Sequence, residues 1–216
     1  MNFAGFPEYD VVLELLFGII SLVLSLFAFR VYKRTSQRQT KLFGIAFMFM
    51  SLSYFTQSLF NFLIISTAKG AVCKAAYVPI FNWYNFLGVY THIILMTIGL
   101  VVLTYMTLKV QKPMLLWMML LISLTALFFS EEHFFTVFLI LSTIYFIFIS
   151  IHFVNNYRKN RDRKSLVIAL AFLFLLFGSI NFIFCDQAEL FYLIAHLLAL
   201  IAYLFILWDF YLVLKK

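Results

Sequence analysis

Seven long apolar segments constrain this chain more than any other feature. They run roughly over Val11–Val31, Leu42–Ile65, Trp83–Thr107, Pro113–Phe129, His133–Val154, Leu166–Cys185 and Glu189–Leu214. Most reach the ~20 residues that carry a helix across a ~30 Å hydrocarbon layer. In lipid an unpaired backbone N–H or C=O costs several kcal/mol, so segments of this kind must be helices. The alternating strands of a membrane barrel are absent. The fourth segment is the shortest. It crosses if Trp117 sits near the inner interface, and Pro113 is tolerated in its first turn. Composition agrees: 12% of residues are charged, against about 25% in soluble domains. The expected fold is therefore all-α and integral to the membrane, a seven-transmembrane helix bundle with residues 1–216 forming one membrane domain. The opening "MNFAGFPEYD" has no basic residue before the first apolar run. It lacks the charged start of a secretory signal, so the first helix is expected to be retained.

Charge predicts direction. Residues 30–41 hold five basic residues, 109–112 two, 157–164 five and the end of the chain two, so fourteen of the sixteen Lys and Arg fall on one side of a seven-span bundle. Only Lys69 and Lys74 fall on the other. The positive-inside rule then puts the N-terminus outside and the C-terminus in the cytoplasm, with the plasma membrane as the expected location. Seven of the nine acids, among them Glu131, Glu132 and Asp186, fall on or near the outer face. The net charge of +7 follows from this topology and from anionic lipid. The basic loops are short and lack interleaved aromatics, which argues against a nucleic-acid partner. The expected partners are the bilayer and a protein at the cytoplasmic basic loops. Cys73 and Cys185 both fall on the outer side, where a disulfide persists. A bridge and two separate thiols are both open readings, and no CxxC or Cys/His zinc spacing is present.

The chain also reads as built twice. With an offset of 125 residues, Tyr32–Phe55 lies over Tyr157–Ile180, "YKRTSQRQ" over "YRKNRDRK" and "GIAFMFM" over "ALAFLFL". The in-phase tyrosine and basic loop weigh more than the Phe matches, because the chain has 29 Phe. Repeat one would cover 11–107, a linker helix 113–129 and repeat two 133–214. Three spans and a linker restore the starting direction, so the repeat is parallel, with an axis along the membrane normal. This 3+1+3 layout resembles the small sugar and amino-acid carriers of the SWEET and PQ-loop type, in topology alone. Their Pro-Gln pair is missing, since the only prolines are Pro7, Pro79 and Pro113. The chain also resembles seven-helix rhodopsins in topology, but its last helix has no lysine before Lys215, which excludes a retinal Schiff base.

Two histidines fall at matching places in this scheme. "THIIL" (Thr91–Leu95) on helix three lies over "AHLLA" (Ala195–Ala199) on helix seven. With a 1.5 Å rise, His92 and His196 lie roughly 13 Å and 10 Å below their helix starts. Gly88 and Gly99 flank His92 at i−4 and i+7, and Tyr192 and Tyr203 flank His196 at the same spacings. Helix two carries a Ser53–Gln57–Asn61 stripe, helix six Asn181, and helix one Glu14, Gly18, Ser21 and Ser25 on one face. Polar groups avoid lipid, so these residues are expected to line a polar cavity in the outer half. Each also has a plainer reading: the histidines and the polar stripe as interhelical hydrogen bonds, the glycines as close helix packing, and Glu14 as a snorkelling group. His133 is expected to be solvated, and His152 to meet lipid headgroups.

Three functions compete. In the first, a non-enzymatic binding, redox or sensory module holds a ligand between helices three and seven. His92 and His196 would be the axial ligands of a b-type haem, the only cofactor and metal expected. Gln57, Asn61, Asn181, Tyr192 and Glu14 would complete the ligand site. The second is a carrier of a small polar solute with its site at the repeat interface. The third is a membrane accessory protein. No Ser-His-Asp set, HExxH pair or three-histidine metal set is present, so an enzyme is not expected.

Overall fold

In the computed structural model, residues 7–70, 78–110, 112–130, 133–184 and 187–214 are described. Seven helices follow one another: α1 (Pro7–Thr35), α2 (Arg38–Gly70), α3 (Val78–Leu108), α4 (Pro113–Phe128), α5 (Phe134–Asn160), α6 (Arg163–Ile183) and α7 (Glu189–Leu214). No strand occurs among the described residues. Six helices are long and apolar enough to cross a membrane. The exception is α4. Its 16 residues rise about 24 Å, short of the expected span, yet it returns the chain from the end of α3 to the start of α5. Cys73, Cys185, Glu131, Glu132 and Asp186, on which the bridge and part of the charge argument rest, lie outside the described residues.

Six helices close a ring in the order α1, α2, α3, α5, α6, α7 and back to α1, while α4 packs outside against α3 and α5. The ring places α3 diametrically opposite α7. Parallel neighbours join its two halves. Tyr90 stacks on Phe134 at 4.1 Å between the first halves of α3 and α5, and Tyr192 donates to the Asp10 carboxylate at 2.6 Å between the starts of α7 and α1.

Serines clasp the first hairpin. Ser58 donates to the carbonyl of Val11, Ser51 to that of Gly18, and Ser25 to that of Gly44, at 3.0, 2.9 and 2.8 Å. The contacts advance by seven residues on each helix, the heptad of a left-handed antiparallel pair. Gly18 admits this approach, since a Cβ there would lie 3.1 Å from the Phe55 ring.

The two basic turns share one geometry. Ser36 and Arg161 both adopt left-handed φ, at 53° and 50°. Their N–H groups close the preceding helices on the carbonyls of Tyr32 and Tyr157, each at 2.8 Å. One turn on, Lys41 and Leu166 donate to the carbonyls of Gln37 and Asp162. In α5, Ser150 donates to the Phe172 carbonyl of α6 at 3.0 Å, as Ser25 does between α1 and α2. The basic residues that end α1 and α5, Lys33 with Arg34 and Arg158 with Lys159, also face the negative ends of their helix dipoles. These residues define the basic end of the bundle.

Candidate functional site in the half away from the basic end

The polar stripe read on α2 divides among three surroundings. Ser53 turns to α3, where its hydroxyl donates to the His92 carbonyl at 2.8 Å and lies 2.9 Å from the imidazole Nδ1. Asn61 turns to α1, and its amide nitrogen donates to both oxygens of Glu14 at 3.0 and 2.9 Å. Between them, the Gln57 Oε1 is buried with no hydrogen-bond partner. Glu14 is only partly buried by exposure, and its side chain leans toward the start of α1, as helical side chains do, which brings it to Asn61.

Five of the seven candidate residues therefore gather on α1, α2 and α7: Glu14, Gln57, Asn61, Tyr192 and His196. Tyr192 is held by Asp10, and its own carbonyl accepts from the His196 Nδ1 at 3.0 Å. Asp10 acts electrostatically on both Glu14 and His196. Asn181 stands apart, its amide bound to the Phe177 carbonyl of its own helix at 2.7 Å. The sequence reading missed Asp10, one turn before Glu14, although the i, i+4 spacing of two acids in an apolar helix was the available signal. It also missed Tyr54 and Phe17, which nothing separates from ordinary apolar aromatics until their neighbours are known, while Tyr203 was read only as a flank of His196.

Those three rings fill the bundle axis. Tyr54 lies 5.7 Å from His92 and 5.4 Å from Phe17, and Phe17 lies 6.2 Å from His196. Tyr203 lies 5.4 Å from Phe17, and its hydroxyl reaches that of Tyr54 at 3.4 Å. The two imidazoles are thus joined through other rings. Each places Nδ1 on a backbone carbonyl, His92 on Ser53 at 3.3 Å and His196 on Tyr192. A carbonyl only accepts, so both neutral rings carry their proton on Nδ1 and leave Nε2 as the bare nitrogen. That is the second-shell arrangement of a metal ligand. The interval a shared haem needs, however, is taken by Phe17 and Tyr54. Among the described residues no group of three or more His, Cys, Asp or Glu is placed to hold a metal ion.

The glycines beside His92 serve packing. A Cβ on Gly88 would lie 2.8 Å from the Phe60 Cβ, and one on Gly99 would lie 2.9 Å from Met50 Cγ and 3.0 Å from the Ala46 carbonyl. At both glycines this face of α3 is closed by α2.

The fold and site together define an all-helical bundle with six membrane-length helices and an acidic, aromatic cluster in one half. Comparison with protein-family models, with curated proteins and with solved structures gives no match.

Proposed function

We propose that this chain is a non-enzymatic membrane binding module that takes a small organic ammonium cation between α1, α2 and α7. One observation carries the reading: Glu14, with Asp10 acting on it, is bound by Asn61, one turn from the buried, unpartnered Gln57 Oε1, and among the described residues no basic side chain answers it. Every Lys and Arg whose side chain is described lies at 30–41, 109–112 or 158–164. Acceptors outnumber donors there, and a carboxylate in lipid needs a counter-charge. The faces of Phe17, Tyr54 and Tyr203 add the ring quadrupoles that attract ammonium groups. The bundle is oriented with its N-terminus outside and crosses the plasma membrane seven times, so the site opens outward. The reading of two repeats is supported by the matched turns at Ser36 and Arg161 and by Ser25 and Ser150, 125 residues apart, each donating to a carbonyl of the next helix, though to acceptors three residues out of register.

The experiment is calorimetric titration of the protein in nanodiscs with butylammonium and, in parallel, with 1-butanol. Saturable binding of the cation alone is expected, lost in Glu14→Gln and kept in Asn181→Ala. Equal response to both probes removes the reading. A b-type haem between α3 and α7 is the second reading, favoured by the two bare Nε2 atoms. It requires Phe17 and Tyr54 to swing away, and a six-coordinate low-spin visible spectrum of the purified protein is its test.

A further inference from the structure

Two adjoining cavities flank the lipid side of α5 at the basic end. One, of about 280 Å³, is lined by Lys109 from the end of α3 and by His152, Asn155, Asn156 and Lys159 of α5. The other, of about 260 Å³, lies between α5 and α6. Its walls are apolar, with Ile147, Ile151 and Val154 facing Leu173 and Leu176, and Arg158 stands at its basic end. Asn155 lines both cavities. Beneath the groove, the Ser150 bond to Phe172 holds α5 against α6.

The charges at the first cavity are of one sign. Lys109 and Lys159 both act on His152, and neither lysine is paired with an acid among the described residues. The acids described at this end are Asp162, at the start of α6, and Asp209 on α7, and both interact with Lys164. A basic pocket between helices beside an apolar groove has the form of a lipid-headgroup site.

We infer that the two cavities form one site for an anionic phospholipid, its phosphate between Lys109 and Lys159 and an acyl chain along the Ile151–Leu176 groove. Asn155 sits where headgroup and chain join. The occupant is a lipid and not free phosphate, because Asn155 lines both the polar cavity and an apolar groove whose Ile147 and Ile151 are exposed on the outside of the ring, where a chain and not a phosphate would fit.

The test is native mass spectrometry of the full chain released from nanodiscs of equal dioleoyl-phosphatidylglycerol and dioleoyl-phosphatidylcholine. Phosphatidylglycerol is expected to be retained preferentially. At about 1 kcal/mol per lysine, Lys109→Gln or Lys159→Gln lowers that preference about fivefold and the pair about thirtyfold, while the corresponding double change to Arg keeps it. Arg30→Gln with Arg34→Gln removes the same charge from the same end and leaves the preference intact. Ile151→Trp fills the groove and weakens retention with both lysines in place, so the site remains testable if the double Gln variant does not fold. Equal retention of the two lipids overturns the inference. So does equal loss in the Arg30/Arg34 variant, which would mean diffuse surface charge. Displacement of the lipid by millimolar inorganic phosphate, with Ile151→Trp silent, overturns it in favour of a free anion.

Discussion

At the scale of single residues, the outcome at each polar position turns on which neighbour it meets, and sequence spacing reports only the face. Gly99 and His92 share a face of α3, yet one packs on α2 backbone while the other is hydrogen-bonded by an α2 serine. Gly99→Ala is therefore expected to destabilise by about 1–3 kcal/mol, because the obstructing Ala46 carbonyl belongs to a helix backbone that does not turn aside. Unfolding by graded addition of sodium dodecyl sulfate reads this loss, and a neutral result would mean that α2 and α3 stand further apart. Ser53→Ala removes the hydroxyl that holds His92. Interhelical polar contacts in membranes average about 0.6 kcal/mol and reach about 1.7, so a cost in that interval is expected from the same titration. The Ser53–Gln57–Asn61 stripe was legible as polar and inward. Its division among α3, a buried orphan oxygen and Glu14 was not, because side-chain lean and helix rotation decide it and neither leaves a trace in the spacing.

At the scale of elements, the segments were readable almost to their ends, since hydrocarbon thickness and backbone satisfaction leave one solution for a run of about 20 apolar residues. The fourth was the weakest for a physical reason: it lies outside the ring against α3 and α5, burying only Ser123 and Leu127, so no run of core positions fixes its length. The loop between α5 and α6 also shows what spacing hides. Nothing in "YRKNRDRK" marks Arg161 as left-handed, yet its φ of 50° closes α5 on Tyr157. A non-glycine residue bears about 1–2 kcal/mol in that conformation. Arg161→Gly is accordingly expected to stabilise the protein by roughly 1 kcal/mol, and Ser36→Gly by a similar amount, both read by the same unfolding titration. Destabilisation by either change would mean that the side chain holds the turn through contacts worth more than the strain. The α1–α2 clasp has its own signature. Replacing Ser25, Ser51 and Ser58 by Ala is expected to cost about 2 kcal/mol in total if the contacts are independent.

At the scale of the whole molecule, the proposed repeat agrees more closely around the basic turns than at the histidines. The half from α1 to α3 and the half from α5 to α7 occupy corresponding arcs. Residues 125 apart have like surroundings: Ala46 and Ala171 are fully buried, while Leu26 and Ile151 are 53% and 54% exposed. The last helix of each half follows a different register. Ser53 meets the His92 carbonyl, and the residue 125 further on, Gly178, lies where a Cβ would touch the Ala195 carbonyl. On the proposed repeat, these two contacts would set His92 against Ala195, one residue before His196. One residue is about 100° of helix rotation, enough to send the two imidazoles to different neighbours. The direction of the bundle rests on charge alone, and this yields the last prediction. Holding the two turns that carry ten basic residues on the cytoplasmic side avoids moving them through the hydrocarbon and against the membrane potential. In a background with Cys73 and Cys185 changed to Ser, a membrane-impermeant thiol reagent added outside intact cells is expected to label Ala71→Cys and to spare Asn160→Cys until the membrane is opened. The opposite pattern would turn the bundle over, place the Glu14 and Asp10 cluster toward the cytoplasm, and make the proposed ligand an internal one.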